Sequence, residues 1–318
     1  MGMKKISIGK LRCLQQCTSP RGTFTCLALD HRQNMRKANP AFVDNAELSR
    51  FKLDVTAALA DLSTAVLLDP EVSAAQAIAT GALPGKSAFV VAVEATGYGG
   101  SPTARQSQVL PGWSVEKAKR MGASMVKLLV YFHPDSPTAP EIESIVCRVV
   151  DECNRYDIGL MLEPLSYSLN AAKKLSSAEK RYVVTETAHR LVISGVDVLK
   201  AEFPLDVAED ADEAKWAEAC ADISTASPAP WIVLSAAVNY ETYLRQVEIA
   251  CRAGASGSAV GRAVWQESVS MDGETRLDFL RTIGRERLSR LTALCSEVGK
   301  PVSDFYTAYA PFDWYKMY

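Results

Sequence analysis

Eight short runs rich in Val, Leu, Ile or Phe punctuate the chain: Phe24–Asp30, Thr64–Pro70, Ala88–Glu94, Met125–Phe132, Ile158–Pro164, Val196–Pro204, Trp231–Ala237 and Gly257–Trp265. None shows the polar alternation of a strand with one wet face. A continuous apolar run is what a strand buried on both faces looks like, and helix-like stretches separate each run from the next, so the pattern predicts a parallel sheet. Three of these helices end on glycine just before a strand, at Gly122, Gly195 and Gly254. Glycine tolerates the left-handed conformation that closes a helix, so the recurrence is a weak internal repeat of a helix-to-strand unit. Eight is the number that closes a barrel, and the predicted fold is an α/β TIM (β/α)8 barrel. No Gly-x-Gly-x-x-Gly motif follows the first strand, which argues against an open dinucleotide-binding sheet.

Two segments exceed a minimal barrel. Residues 95–112 form a long loop with several glycines and prolines after the third strand, whose length suits either a cover over a binding site or a plain surface excursion. Beyond the eighth strand, a helical stretch over Arg276–Val298 leads to an aromatic tail containing Phe305, Tyr306, Tyr309, Phe312, Trp314, Tyr315 and Tyr318. The chain therefore reads as one barrel domain over 1–318, with the barrel at about 23–267 and a C-terminal helical extension and tail at 268–318. An aromatic tail needs a surface to cover, either the barrel or a neighbouring subunit, which leaves a homo-oligomer open.

Composition narrows the function classes. The 318 residues are 48% apolar, and 35 Lys and Arg against 37 Asp and Glu leave a net charge of −2. That profile is globular, neither disordered nor a small disulfide scaffold. Interspersed signs do not build the concentrated positive field that a nucleic acid or an anionic membrane requires, so neither is an expected partner. No apolar run approaches the roughly 18 residues of a membrane span, and the N-terminus has no signal-peptide core. The eight cysteines include no Cys-x-x-Cys pair and several lie in apolar runs, as reduced, buried thiols of a cytoplasmic protein do.

In a barrel the chemistry sits at the C-terminal ends of the strands. The polar residues expected there are Asp30, Asp69, Glu94, Lys127, Glu163, Lys200 with Glu202, Ser235 and Gly261-Arg262. Lys127 and Lys200 interrupt strands that are otherwise apolar, and a buried lysine is costly unless paired or neutralised. Burial and a second ammonium both lower a lysine pKa, yielding a free amine that attacks a carbonyl. On strands four and six these lysines flank Glu163 on strand five, which points to Schiff-base chemistry; a structural Lys–Glu network filling the barrel is the alternative. The seventh and eighth strands end in Ser235 and Gly261-Arg262, a hydroxyl, a close-approach turn and a cation of the kind that binds phosphate at this position. An Arg262 paired with Glu267 or Asp272 is the bland alternative. Asp30-His31-Arg32 adds a carboxylate and a second cation, or else a helix N-cap with a solvent-facing arginine. His31, His133 and His189 lack metal-ligand spacing, and no Gly-x-Ser-x-Gly elbow is present, so neither a metal site nor a Ser-His-Asp triad is expected.

Six segments stand in a specific order and spacing: 27–32 (Leu-Ala-Leu-Asp-His-Arg), 113–131 from Trp-Ser-Val to Val-Lys-Leu-Leu-Val-Tyr, 162–167 (Leu-Glu-Pro-Leu-Ser-Tyr), 197–204 (Asp-Val-Leu-Lys-Ala-Glu-Phe-Pro), 230–235 (Pro-Trp-Ile-Val-Leu-Ser) and 253–265 from Ala-Gly-Ala-Ser-Gly to Gly-Arg-Ala-Val-Trp. Through them the chain resembles the class I tagatose 1,6-bisphosphate aldolases of the LacD type, together with the related sulfofructosephosphate aldolases. The stretch at 162–167 is nearer the tagatose type, whereas Gly-Arg-Ala-Val-Trp is shared with the sulfosugar type. The resemblance implies a lyase that uses no metal or other cofactor and acts on a small-molecule sugar phosphate. Its reaction would be reversible cleavage of tagatose or fructose 1,6-bisphosphate to dihydroxyacetone phosphate and glyceraldehyde 3-phosphate. Lys200 matches the family's Schiff-base lysine, and Glu163 and Lys127 match its active-site carboxylate and second lysine. Ser235, Gly261 and Arg262 match the site for the phosphate on the ketone half, and Asp30 with Arg32 match an Asp-Gln-Arg stretch that lines the pocket. His31 departs from that stretch, where glutamine is expected, and bears on which sugar is taken. Cleavage of 6-deoxy-6-sulfofructose 1-phosphate to dihydroxyacetone phosphate and sulfolactaldehyde is the alternative reaction, and a non-catalytic sugar-phosphate sensor is the alternative of another class.

Overall fold

The computed structural model describes residues 2–236, 238–316 and 318. Each of the eight apolar runs supplies one strand of a closed parallel barrel: Phe24–Ala28, Ala65–Leu68, Ala88–Ala92, Met125–Tyr131, Gly159–Leu165, Val198–Ala201, Trp231–Leu234 and Gly257–Val260. Every strand pairs with the next in sequence, and the eighth closes on the first, with Gly257 opposite Phe24 and Val260 opposite Leu27.

Most of the strands stop short of the apolar runs that announce them. The sixth ends at Ala201 rather than Pro204, and the eighth ends at Val260, so that Arg262–Trp265 is a short helix and not the tail of a strand. Ala237, at the end of the expected seventh run, lies outside the described residues. The overshoot has a physical cause. Leu29, Val93 and Phe203 follow their strands but remain buried in the loops that turn in at the barrel mouth, and apolarity reports burial rather than ladder hydrogen bonding.

The intervening helices cover the barrel with single apolar stripes. In Ala139–Arg155 the buried positions Ile142, Val146, Val149 and Cys153 recur every three or four residues, the spacing of one helix face. Gly122 and Gly254, at φ +92° and +109°, directly follow the caps of their helices in the left-handed conformation that the sequence pattern calls for, whereas the helix before the sixth strand already ends at Leu191 and Gly195, at φ +104°, sits in the turn beyond it.

The N-terminal end of the barrel is closed by helix Ile8–Cys17, whose Cys13 lies against Gly159 at the start of the fifth strand. Its Lys10 is buried and pairs with Asp197 at 2.9 Å. The C-terminal extension starts slightly before the expected Arg276: Gly273–Phe279 runs through a π-helical turn, Leu280–Gly284, into Arg285–Val298. The tail then returns to the same end of the barrel, where Tyr306–Thr307 pairs in parallel with Lys4–Lys5 and the Tyr306 hydroxyl donates to the Asp197 carbonyl at 3.0 Å. Tyr309, Phe312, Tyr315 and Tyr318 stay exposed. All eight cysteines are free thiols, and only Cys147 is exposed. Among the described residues no helix is long and apolar enough to cross a membrane.

Closure of the barrel depends on one glycine. Gly257 adopts φ +136°, and a Cβ there would stand 1.9 Å from the carbonyl oxygen of Phe24 on the partner strand. Gly257→Ala is expected to lower stability by at least about 2 kcal/mol through backbone strain at the closing seam. Urea unfolding measures it, and an unchanged midpoint would refute the assignment.

Candidate active site

Alternate residues along a strand share a face. At the C-terminal mouth this periodicity brings Ala28 and Asp30, Lys127, Leu129 and Tyr131, Glu163 and Leu165, Lys200 and Glu202, and Ala259 and Gly261 to the wall of one cavity of about 300 Å³. Strand register sets the heights. Lys127 lies level with Ala92 and Met161, so its stem rises one layer to meet Glu94 and Glu163, each two residues further along its neighbouring strand. Met161 is level with Val198, which by the same step places Lys200 beside Glu163.

The result is a cage of charges. Lys127 Nζ stands 2.7 Å from a carboxylate oxygen of each of Asp30, Glu94 and Glu163, with its side chain fully shielded from solvent. Lys200 Nζ stands 2.9 Å from the other oxygen of Glu163. Burial disfavours the Lys127 ammonium, but Asp30, Glu163 and Glu94 outweigh it and hold its pKa well above the ordinary lysine value. Lys127 is therefore a fixed cation, and the expectation that burial and a second lysine would free its amine does not hold. Burial also works against ionised Asp30, but Lys127 and Lys200 keep this carboxyl well below the usual range. Glu94 moves upward, because burial outweighs its contact with Lys127.

Arg32 is buried in the wall of the same cavity. It pairs with Glu71, and its Nη2 donates to the Glu94 carbonyl at 3.1 Å and lies 3.7 Å from the Glu94 carboxylate. Its charge is shared with two carboxylates, so it braces Glu94 and is neither a solvent-facing arginine nor a free cation. Asp69 stays out of the cavity: it pairs with buried Lys52 and accepts hydrogen bonds from the backbone N–H groups of Glu71 and Val72. In the sequence Glu94 is one strand-end carboxylate among several, and the resemblance assigns it no role. The structure makes it the third partner of Lys127.

Across the cavity Ser235, Gly261 and Arg262 converge. The Gly261 N–H donates to Ser235 Oγ at 3.3 Å, and a Cβ on Gly261 would meet His31 Cε1 at 2.9 Å and the Ala28 carbonyl oxygen at 3.1 Å. Next to Ser235, Ala236 adopts φ +41°, a strained turn of the kind that clusters at functional sites. Arg262 opens a short helix held by Trp265, whose indole N–H donates to the Ala28 carbonyl at 3.3 Å. Glu267 pairs with Arg287 at 2.8 Å instead of Arg262, and the buried Nε of Arg262 has no hydrogen-bond partner among the described residues. A cation without a counter-ion, beside a hydroxyl and a backbone N–H, is suited to an anion.

His31 packs edge-on against Trp265, with ring centroids 5.5 Å apart, and its Nδ1 is buried without a hydrogen bond among the described residues. His133 sits beside Tyr167, and His189 is exposed on an outer helix. The first part of the long loop lines the cavity through Ala95, Thr96 and Gly97, while the rest folds into a hairpin of Gly99–Ser101 with Ala104–Gln106. That loop is thus part of the site's wall.

Residues 24–267 match a family model described as DeoC/LacD family aldolase. The tagatose 1,6-diphosphate aldolase of Listeria monocytogenes serotype 4a is 29% identical over 98% of both chains. Tagatose 1,6-diphosphate aldolase 2 of Enterococcus faecalis is 31% identical over 91% of this chain and 94% of its own. Among solved structures, a Schiff-base-forming fructose-1,6-bisphosphate aldolase superposes with a TM-score of 0.57 at 22% identity, covering 86% of this chain and 98% of the other. At that identity the likeness speaks for the barrel fold alone.

The environment of His31 generates a pH dependence. Burial pulls its pKa down to about 4, with Asp30 opposing and Arg262 reinforcing the shift, so the imidazole is neutral in the folded protein. A depressed folded pKa means that its contribution to stability is complete above about pH 6.5 and is lost as pH falls towards 4, by at most about 3 kcal/mol. His31→Gln is expected to flatten that part of the stability curve in urea unfolding at pH 4.5 and 7. Equal pH dependence in the two proteins would contradict it.

Proposed function

The chain belongs to the DeoC/LacD aldolase family and is a lyase, and from that premise we propose that it reversibly cleaves a ketohexose 1,6-bisphosphate through a Schiff base on Lys200. Tagatose 1,6-bisphosphate is the first candidate substrate and fructose 1,6-bisphosphate the second; the products are dihydroxyacetone phosphate and glyceraldehyde 3-phosphate. The observation that carries the reading is the single carboxylate of Glu163, shared between Lys200 at 2.9 Å and Lys127 at 2.7 Å. It is the one carboxylate described within 4 Å of the Lys200 amine, so it is the group able to take and return that amine's proton.

The steps follow from the placement. The Lys200 ammonium passes a proton to Glu163, and the neutral amine adds to the C2 carbonyl. Glu163 returns the proton to the carbinolamine hydroxyl, which leaves as water and produces an iminium. As the C3–C4 bond breaks, its electron pair flows towards the iminium nitrogen while the C4 hydroxyl gives its proton to Glu163. The aldehyde half departs, Glu163 returns that proton to C3 of the enamine, and water then hydrolyses the new iminium, which restores the Lys200 ammonium and the Glu163 carboxylate. Throughout, Lys127 remains an ammonium held by Asp30 and Glu94, and it fixes one oxygen of Glu163 while the other faces Lys200. Ser235 Oγ and Arg262 hold the phosphate on the ketone half, with Gly261 letting the backbone approach it, which orients C2 towards Lys200.

The names of the relatives favour a bisphosphate over the sulfofructosephosphate alternative. The joint presence of Lys127, Glu163 and Lys200 in one cage supports turnover rather than a silent sensor.

Borohydride reduction in the presence of tagatose or fructose 1,6-bisphosphate is expected to add the ketone fragment's mass to the peptide carrying Lys200 and to inactivate the protein; Lys200→Met removes both effects. Label on Lys127, or no label, would overturn the assignment. Arg262→Ala is expected to raise KM by about tenfold or more, since a hydrogen bond to a charged group contributes about 1.5–3 kcal/mol. An unchanged KM would remove Arg262 from the phosphate site.

A further inference from the structure

His31 stands between the turn at Gly261-Arg262 and the carboxylate cage. On one side the Cε1–Nε2 edge of its ring fills the room that glycine leaves: a Cβ on Gly261 would lie 2.9 Å from Cε1 and 3.6 Å from Nε2. On the other, Nδ1 lies 3.9 Å from Asp30 Oδ1, while Lys127 holds the second oxygen, Oδ2, of the same carboxylate. Nδ1 is buried and unpartnered among the described residues, and the one-fifth of the side chain that stays exposed lines the cavity. A buried ring nitrogen without a partner costs free energy, so a state that supplies one is favoured.

Four charged groups face the ring. Asp30 and Glu163 favour its protonation, whereas Arg262 and Lys200 oppose it, and burial joins the two cations to keep the imidazole neutral. Lys200 and Glu163 pair with each other at 2.9 Å and offset one another, which leaves Asp30 against Arg262 as the deciding pair. A dianion seated on Arg262 reverses that balance, because it offsets the guanidinium and adds negative charge beside the Nε2 edge. Arg105, the other cation of the mouth with no ion pair among the described residues, lies apart from this balance. It sits in the hairpin after the third strand, its Nε donating to the Pro102 carbonyl and its guanidinium over the rings of Tyr98, Tyr131 and Tyr167 at 4.4, 5.2 and 4.8 Å.

We propose that His31 is a ligand of the anion on the ketone half and takes up a proton from solvent as that anion binds, donating to the anion from Nε2 and to Asp30 from Nδ1. The imidazolium then joins the anion to Asp30, whose other oxygen holds Lys127, and so ties anion binding to the cage that presents Glu163 to Lys200. The inference rests on the anion site of the aldolase reading above, and not on turnover.

Sulfate is the probe, because it stays a dianion throughout the titration and any proton bound is the protein's own. With three histidines in the chain, the imidazole Cε1–H signals can be followed by NMR between about pH 5 and 8; His31→Gln identifies the His31 signal, and exposed His189 is the internal reference. In chloride buffer His31 is expected to stay largely neutral down to pH 5, and with saturating sulfate to titrate near its ordinary value of about 6.5. That shift makes sulfate affinity rise about tenfold more between pH 8 and 5.5 in the unmodified protein than in His31→Gln. Arg262→Ala is expected to move the effect to about tenfold higher sulfate or more. A His31 signal that titrates alike with and without sulfate overturns the proposal, as does a shift shared by His189 or one with the same sulfate dependence in Arg262→Ala. If the sulfate-linked shift is present but borohydride traps nothing with either sugar, the aldolase reading fails and the role of His31 stands. Trapping on Lys200 without the shift refutes the role of His31 alone.

Discussion

The interaction on which the rest of the site depends is the contact of one buried ammonium with three carboxylates from three different strands. Lys127 on the fourth strand gathers Asp30 from the end of the first, Glu94 from the end of the third and Glu163 from the fifth. Removing one partner from a buried ion pair leaves an uncompensated charge and costs about 3–5 kcal/mol, so these groups hold one another in a single arrangement. Arg32 and Glu71 extend the network outward behind Glu94, and the Leu129 N–H donates to the free oxygen of Glu94 at 3.1 Å. The geometry of Glu163 follows from this. One oxygen is committed to Lys127, and the other is left facing Lys200.

That arrangement divides the mouth of the barrel into zones of charge. Its centre sets Asp30, Glu94 and Glu163 against Lys127 and Lys200, with Arg32 bridging Glu94 to Glu71. Unneutralised cations stand on either side, Arg262 on the eighth-strand side and Arg105 in the hairpin after the third strand. A chain of net charge −2 therefore presents positive charge where an anionic sugar would lie. Charge at a few strand ends suits a small anion, whereas a polyanion would need a continuous surface.

The opposite end of the barrel works for stability. Lys10 and Asp197 form a buried pair there, the Asp197 carboxylate also accepts the Leu160 N–H at 2.8 Å, and Tyr306 from the aromatic tail donates to the Asp197 carbonyl. The N-terminal helix and the C-terminal tail thus lock the end of the barrel remote from the cavity. Separation of a stabilising end from a chemical end is general in this architecture, because loops after the strands are free to vary once the other end is secured.

Much of this was legible before any coordinates. Runs such as 88–93, Ala-Phe-Val-Val-Ala-Val, have no reason to be apolar at every position unless both faces are buried, and eight of them separated by helices leave few architectures. Lys127 and Lys200 stood out because lysine is expensive in such a run, and strand order placed them on either side of Glu163. The sequence by itself therefore determined the barrel and singled out Lys127, Glu163 and Lys200, which the structure brings into contact, because burial and periodicity are local properties written residue by residue. What only the tertiary structure decided was every property that depends on partners brought from distant segments. The direction of the Lys127 pKa depends on carboxylates 97, 33 and 36 residues away, the role of Arg32 on Glu71 and Glu94, and the freedom of Arg262 on Glu267 having turned to Arg287. Arg105 gave no sign within its glycine-rich loop, because two of the three rings over which it lies, Tyr131 and Tyr167, come from other stretches of chain. Electrostatic interaction depends on distance in space, and strand register, set by the closed barrel, is what converts positions along the chain into those distances.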